Sequence, residues 1–273
     1  MFARLYDDFK LAEDMLGAID NFQVLHEELR KENKIPKQVL KFFRKNLEKS
    51  IRNTNRMLKE ERWNSKKQKK IRKLSDKLKD AGWKTAVEET PAKAAFLIAE
   101  IRKIRESLQN GSLQFNDVES GIHELRRKLR WLSIYPASLD GSIQLEMQKQ
   151  IPASFRGYVT PEISNSVFNV LPPAKKGLKP IKINSNHFYA LSWMIAELGK
   201  LKDKGLKIHA VAEALEHEGI ESGRNALKKA TAMCGQKRFE IKNILQRAEK
   251  ITHDFAFKDH VLDKLENDIA RYV

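Results

Sequence analysis

The sequence predicts an all-α protein of two helical-bundle lobes related by an internal repeat, with an irregular proline-rich insertion in the second lobe. Three observations lead there. Apolar residues recur at three- and four-residue steps through most of the chain, the period of a helix with one buried face. Strand-like alternation is almost absent, against about 20–25% strand in ordinary globular chains. Six of the eight prolines lie between Pro136 and Pro180, so the helix-breaking residues are gathered in one stretch.

Taken in order, a first helix is expected at 4–32 and a second at 37–62. The second is carried by Leu40, Phe43, Leu47, Ile51, Thr54 and Leu58 behind Pro36, a favoured first-turn residue. A third, at 66–81, has a thin apolar line of Ile71, Leu74 and Leu78 among lysines. A fourth, at 92–109, starts after Pro91 and carries Ala94, Leu97, Ile98, Ile101, Ile104 and Leu108. The fifth, at 117–135, is capped by Asp117 and Ser120 and stopped by Pro136. The insertion at 136–186 is expected to be irregular, apart from a short extended piece at Ile181–Ile183. Helices then follow at 187–203, 206–218, 222–233 and 236–269, the last with a break. Phe42, Phe43, Trp193, Met194 and Phe239 fall at core positions.

Lys77-Leu78-Lys79-Asp80-Ala81-Gly82-Trp83-Lys84 recurs as Lys200-Leu201-Lys202-Asp203-Lys204-Gly205-Leu206-Lys207, with six identities in eight positions. Each copy is expected to end a helix, with Gly82 and Gly205 supplying the stop. The expected halves are therefore 1–110 and 111–273.

At 273 residues with 41% hydrophobic content, the chain is long and apolar enough to bury a sizeable core. Lys and Arg outnumber Asp and Glu by 52 to 36, for a net charge of +16, so the expected partner is an anion. The first twenty residues contain no apolar core of a secretory signal. The longest near-apolar run, Ala94 to Ala99, is far short of the roughly 20 residues that span a bilayer. No membrane partner is expected, and the expected location is cytoplasmic. Cys234 is the only cysteine, which excludes an intramolecular disulfide and a thiolate zinc cluster.

The charge is concentrated. Between Lys31 and Lys79 there are 19 Lys/Arg against 5 Asp/Glu. Within this segment Lys41, Lys45, Lys49, Arg52 and Arg56 follow one another at four, four, three and four residues, one face of the 37–62 helix. Glu48 lies nearby and is placed to pair with Lys45 or Arg52. On the 117–135 helix Ile122, Leu125, Leu129 and Leu132 share one side, while His123, Arg126, Arg127 and Arg130 cluster about 130° away. Glu124 is the only carboxylate between His123 and Tyr135. The bland reading of both is a solvated face. Neighbouring like charges repel, however, and that cost is most readily tolerated where an anion binds. Arg102 and Arg105 add cations to the fourth helix, and Lys237, Arg238 and Lys242 open the last.

His123-x-x-Arg126 followed by Arg130, with Leu198-Gly199-x-x-x-Asp203 further on, resembles the CHAD domain, the conserved histidine α-helical domain. The segment Leu74-Ser75-Asp76 through Asp80 looks like the corresponding helix end of that family's other repeat, and the resemblance spans roughly residues 20 to 255. It implies a two-lobed helical fold with internal pseudo-symmetry, whose inward basic residues bind inorganic polyphosphate. The first half lacks the family's histidine, with Lys41 near the corresponding place, and Ser133 stands where the family commonly has another basic residue.

Polyphosphate has charge but no base edges, so it calls for many Lys and Arg donors along a track, with no aromatic stacking platform. The basic stripes contain few aromatics, and Trp63, Trp83 and Trp131 are scattered. Nucleic acid held by its phosphate backbone is the alternative partner. His209, Glu213 and His217 fall at i, i+4 and i+8, a spacing that separates the two histidines by two turns and argues against a shared metal. His123-Glu124 lacks the second histidine of a zinc-protease helix, and neither a Gly-Lys-Ser/Thr phosphate loop nor a Gly-x-Ser-x-Gly elbow occurs. The expectation is a binding protein with no catalytic residues, metal or cofactor. Its predicted polyphosphate site is Lys41, Lys45, Lys49, Arg52 and Arg56 with His123, Arg126, Arg127 and Arg130.

Overall fold

The computed structural model describes residues 2–63, 69–79, 86–139, 141–174, 176–177, 179–237 and 240–273. Among them the chain is all-α: ten α-helices against two four-residue strands. The helices are α1 (Phe2–Leu29), α2 (Lys37–Glu60), α3 (Lys69–Lys79), α4 (Ala86–Gln109), α5 (Glu124–Ser138) and α6 (Pro161–Ser164). They continue with α7 (Ser185–His217), α8 (Gly223–Met233), α9 (Glu240–His253) and α10 (Val261–Ala270). π-helical turns at Val118–His123 and Asp254–Lys258 lead into α5 and out of α9. The strands, β1 (Ile143–Glu146) and β2 (Ile181–Asn184), pair in parallel with Ile143 opposite Ile181.

Two compact units emerge, each discontinuous in sequence: residues 1–83 with 207–238, and residues 84–206 with 239–273. The expected halves, 1–110 and 111–273, each cross both units. In the first unit Leu25 and Leu29 of α1 are buried, as are Val39, Phe42 and Phe43 of α2, and the Phe22 and Phe43 rings lie 6.5 Å apart. Burying a side chain the size of Phe43 contributes about 1.5–3 kcal/mol. Lys207 reaches Glu28 and Glu32 at 3.4 and 3.3 Å. Cys234 is buried here, which pushes its thiol up to about 11.

The second unit holds the apolar lines read from α4 and α5: Ala94, Leu97, Ile98, Ile101 and Ile104, with Ile122, Leu125, Leu129 and Leu132, are all buried. Asp117 caps the π turn before α5, its Oδ1 accepting from the Glu119 and Ser120 amides at 2.7 and 3.0 Å.

Several boundaries differ from expectation. α4 begins at Ala86, so Pro91 lies inside the helix rather than before it. α5 continues through Pro136 to Ser138. Pro136 is buried against Leu97, Leu132, Ile183 and Leu191, and this packing offsets its lost amide hydrogen bond. The helices expected at 187–203 and 206–218 are one continuous α7, with Gly205 in its interior. A Cβ on Gly205 would sit 2.7 Å from Val118 Cγ2, so this glycine lets the π turn approach α7 and ends nothing. The repeat's second copy is thus mid-helix, and residues 80–84 of its first copy lie outside the described residues. Residues 66–68 of the third expected helix, together with Arg238 and Phe239, lie outside them as well. The break expected in the last helix falls at the Asp254–Lys258 turn and at His260, which has φ 52°.

The described residues of the proline-rich stretch are tied down by side-chain contacts. Gln144 Nε2 donates to the Pro172 carbonyl at 2.7 Å, and Phe155, Tyr158 and Ile163 are buried. Tyr158 donates to Asp259 at 2.6 Å and packs edge-on against Trp193. Ile181–Asn184 is the extended piece the sequence suggested, paired with a strand it did not suggest.

Candidate functional site

In the first unit α2 starts at Pro36, whose carbonyl accepts the Leu40 amide at 3.2 Å. The helix buries Val39, Phe42, Phe43, Thr54 and Met57, which turns Lys41, Lys45, Lys49, Arg52 and Arg56 outward. All five are exposed. Glu48 pairs with neither Lys45 nor Arg52: it accepts from Arg44 Nε at 3.1 Å, four residues earlier on the opposite edge of the stripe. Among the described residues none of the five has an ion-pair partner. With a rise of 1.5 Å per residue, they mark a track about 22 Å long.

In the second unit the predicted set on α5 separates. His123 Nδ1 lies 2.8 Å from Glu119 Oε1, one turn back in the π segment. Arg127 Nη2 lies 2.7 Å from Glu124, whose other oxygen is 3.8 Å from Lys128. Arg126 is half-buried, its Nε donating to the Ile195 carbonyl of α7 at 3.3 Å. It rests over Gly199, where an added Cβ would meet that Nε at 3.0 Å. Burial first, then the charge of Arg130, pulls the Arg126 guanidinium below the ordinary arginine range, against the opposing pull of Asp203. It remains a cation at neutral pH. Arg130 alone of the four is exposed with no ion pair among the described residues. Arg126 and Gly199 of the pattern read from the sequence therefore form a packing contact between α5 and α7, while Asp203 pairs with Lys202 at 2.8 Å.

The additional cations on α4 are also spent. Arg105 pairs with Asp263 and, at 2.8 Å, with Glu266, and Arg102 reaches Glu266 at 2.7 Å, tying α4 to α10. Between α7 and α9 a cavity of about 320 Å³ is lined by Lys200, Lys204 and Arg247, but each is paired. The buried Glu197 holds Lys200 at 2.8 Å and Arg247 at 3.0 Å, while Glu240 holds Lys204 at 2.5 Å. In the first unit the rings of His217 and Phe42 meet at a tilt with centroids 4.9 Å apart, and His209 leaves its buried Nε2 without a hydrogen-bond partner.

One feature of α5 was missed from sequence. Trp131, 44% exposed, stacks on Tyr135 at 5.7 Å, and Tyr135 meets the exposed Phe96 of α4 edge-on at 5.0 Å. Arg127, Trp131 and Tyr135 are four residues apart along one face, so the signal was the i, i+4 pairing of Trp131 with Tyr135. Phe96 could be added only by the packing of α4 on α5.

The chain matches no family model, no curated protein and no solved structure. No helix among the described residues is long and apolar enough to cross a membrane. Functional inference therefore rests on the two faces themselves.

Proposed function

We propose that the protein binds a linear polyanion, inorganic polyphosphate, along the exposed face of α2. One observation carries the reading: five consecutive cations of that face are exposed and none has an acidic partner among the described residues. Each Lys and Arg can give charge-assisted hydrogen bonds to phosphate oxygens, and the straight track of about 22 Å suits an extended chain of charges. The aromatic residues of α2, Phe42 and Phe43, are buried, so the face offers no ring on which a base could stack. The resemblance to the CHAD domain points to the same ligand. On α5 Arg130 is exposed with no ion pair among the described residues, whereas His123, Arg126 and Arg127 first meet protein groups. On this reading the protein is a receptor and performs no reaction.

The test is a titration of labelled long-chain polyphosphate at near-physiological salt, challenged by unlabelled RNA and duplex DNA at equal phosphate concentration. Polyphosphate is expected to resist both. If five phosphates are neutralised, log affinity falls with log salt at a slope of about −3.5, as for a flexible single-stranded polyanion. Ready displacement by nucleic acid rejects the polyphosphate reading.

A second reading has its own observation. The Trp131–Tyr135–Phe96 cluster beside Arg127 supplies aromatic surface and charge together, as single-stranded nucleic acid requires. If RNA wins the competition, Trp131→Ala should weaken RNA binding about tenfold and leave polyphosphate affinity unchanged.

A further inference from the structure

Three of the four residues 167–170 are large, apolar and almost fully in solvent: Val167 is 76% exposed, Phe168 84% and Val170 73%. Isolated exposed apolar residues are ordinary, but three at one tip are not. The tip is also fixed in place. Asn169 is buried between them, its Nδ2 donating to the Ile163 carbonyl at 2.7 Å and its Oδ1 accepting from Ser192 of α7 at 2.5 Å. Residues 167–170 therefore hold Asn169, their one polar side chain, inward and the apolar ones outward.

Three of the four amides at the tip are paired locally. The Phe168 amide donates to Ser166 Oγ at 3.4 Å, the Asn169 amide to the Ser166 carbonyl at 2.9 Å, and the Val170 amide to the Val167 carbonyl at 3.3 Å. A segment entering hydrocarbon must pair its own amides, because no water is there to take them. A protein partner imposes no such condition, and would usually need a polar group at the tip to fix register, which Val167, Phe168 and Val170 do not provide. The charge of the flanking sequence fits as well. From Met147 to Lys182 there are six Lys/Arg against one acid, Glu162. Lys149, Arg156, Lys176, Lys179 and Lys182 are exposed, with no ion pair among the described residues.

We propose that the Ser166–Val170 turn inserts into the surface of an anionic lipid bilayer, Phe168 foremost, with the lysines of the same excursion meeting lipid headgroups. No span is needed: a short apolar wedge supplies the insertion and basic residues supply the attraction. The expectation of no membrane partner rested on the lack of a spanning segment, which does not bear on surface attachment.

The experiment is co-sedimentation of the whole protein with phosphatidylcholine vesicles containing about a third phosphatidylserine, against phosphatidylcholine alone. Binding is expected to the anionic vesicles, and Phe168→Ser should reduce partitioning about tenfold while leaving polyphosphate affinity and helical content unchanged. Equal sedimentation of wild type and Phe168→Ser overturns the proposal, since the charges alone would then account for binding. Failure of wild type to bind either vesicle overturns it too, and leaves the tip to a protein partner. Should Phe168→Ser fail to fold, Phe168→Trp keeps the apolar tip. Its fluorescence should be quenched by brominated acyl chains beyond the wild-type level, and no added quenching again overturns the proposal. Polyphosphate affinity is read separately, so this test and that of the α2 reading fail independently.

Discussion

α2 and α5 carry basic residues at the same helical spacing and each buries an apolar stripe, yet they put their cations to different use. On α2 the nearest carboxylate within the helix, Glu48, is taken by Arg44, and the five cations of the stripe face solvent without an acid. On α5 Glu119 and Glu124 sit one turn before His123 and Arg127 and hold them at 2.8 and 2.7 Å, while Arg126 is drawn against α7. The number of cations on a face therefore says less about anion binding than where the acids fall at three and four residues. Exposed pairs of this kind are weak, within about 1 kcal/mol, but a ligand must still compete with them.

The comparison breaks most sharply if the α2 charges are reversed. Lys45→Glu, Lys49→Glu and Arg52→Glu together should weaken polyphosphate binding more than a hundredfold at low salt, by fluorescence titration, with the same unfolding midpoint as wild type. A loss under tenfold would move the site off α2.

The α5 side depends on packing, so its test is stability. Gly205→Ala places a methyl 2.7 Å from the buried, β-branched Val118, and overpacking of this kind costs about 1–3 kcal/mol. Replacing a mid-helix glycine returns up to about 1 kcal/mol, so a net loss of about 1–2 kcal/mol is expected in urea unfolding. Gly199→Ala meets the Nε of Arg126 at 3.0 Å, the movable end of a long side chain, and should be close to neutral. A stabilised Gly205→Ala protein would contradict the close approach of the π turn to α7.

The smallest effect sharpens the comparison from the other side. Glu119→Gln with Glu124→Gln removes the acids that hold His123 and Arg127. Polyphosphate affinity should rise about two- to fivefold, within the range set by weak surface pairs. No gain would show that α5 takes no part in binding.

Much of this was written locally. The helical class, the buried lines of α2, α4 and α5, the Asp117 cap and the outward stripe of α2 follow from periodicity, because a helix repeats every 3.6 residues and buries whatever recurs at that step. The i, i+4 relation of Trp131 and Tyr135 was legible too, but Phe96 completes that cluster from another helix.

Tertiary structure decided the rest. Gly205 has the sequence appearance of a helix stop, and Pro136 and Pro91 that of helix boundaries. A glycine or proline inside a helix costs only about 1–3 kcal/mol, and packing against Val118 or among Leu97, Ile183 and Leu191 can outweigh that. Local preference is a few kcal/mol at most, and burial against a distant segment is as large. In the same way Arg102, Arg105 and Arg126 read as surface cations until α10 and α7 supply Glu266, Asp263 and the Ile195 carbonyl from far along the chain. The sequence by itself determined the helical class, the buried lines of α2, α4 and α5, and which face of α2 is charged. Whether Arg102, Arg105 and Arg126 remain available to a ligand was set by long-range contacts, because such a pairing depends on where a distant partner folds to.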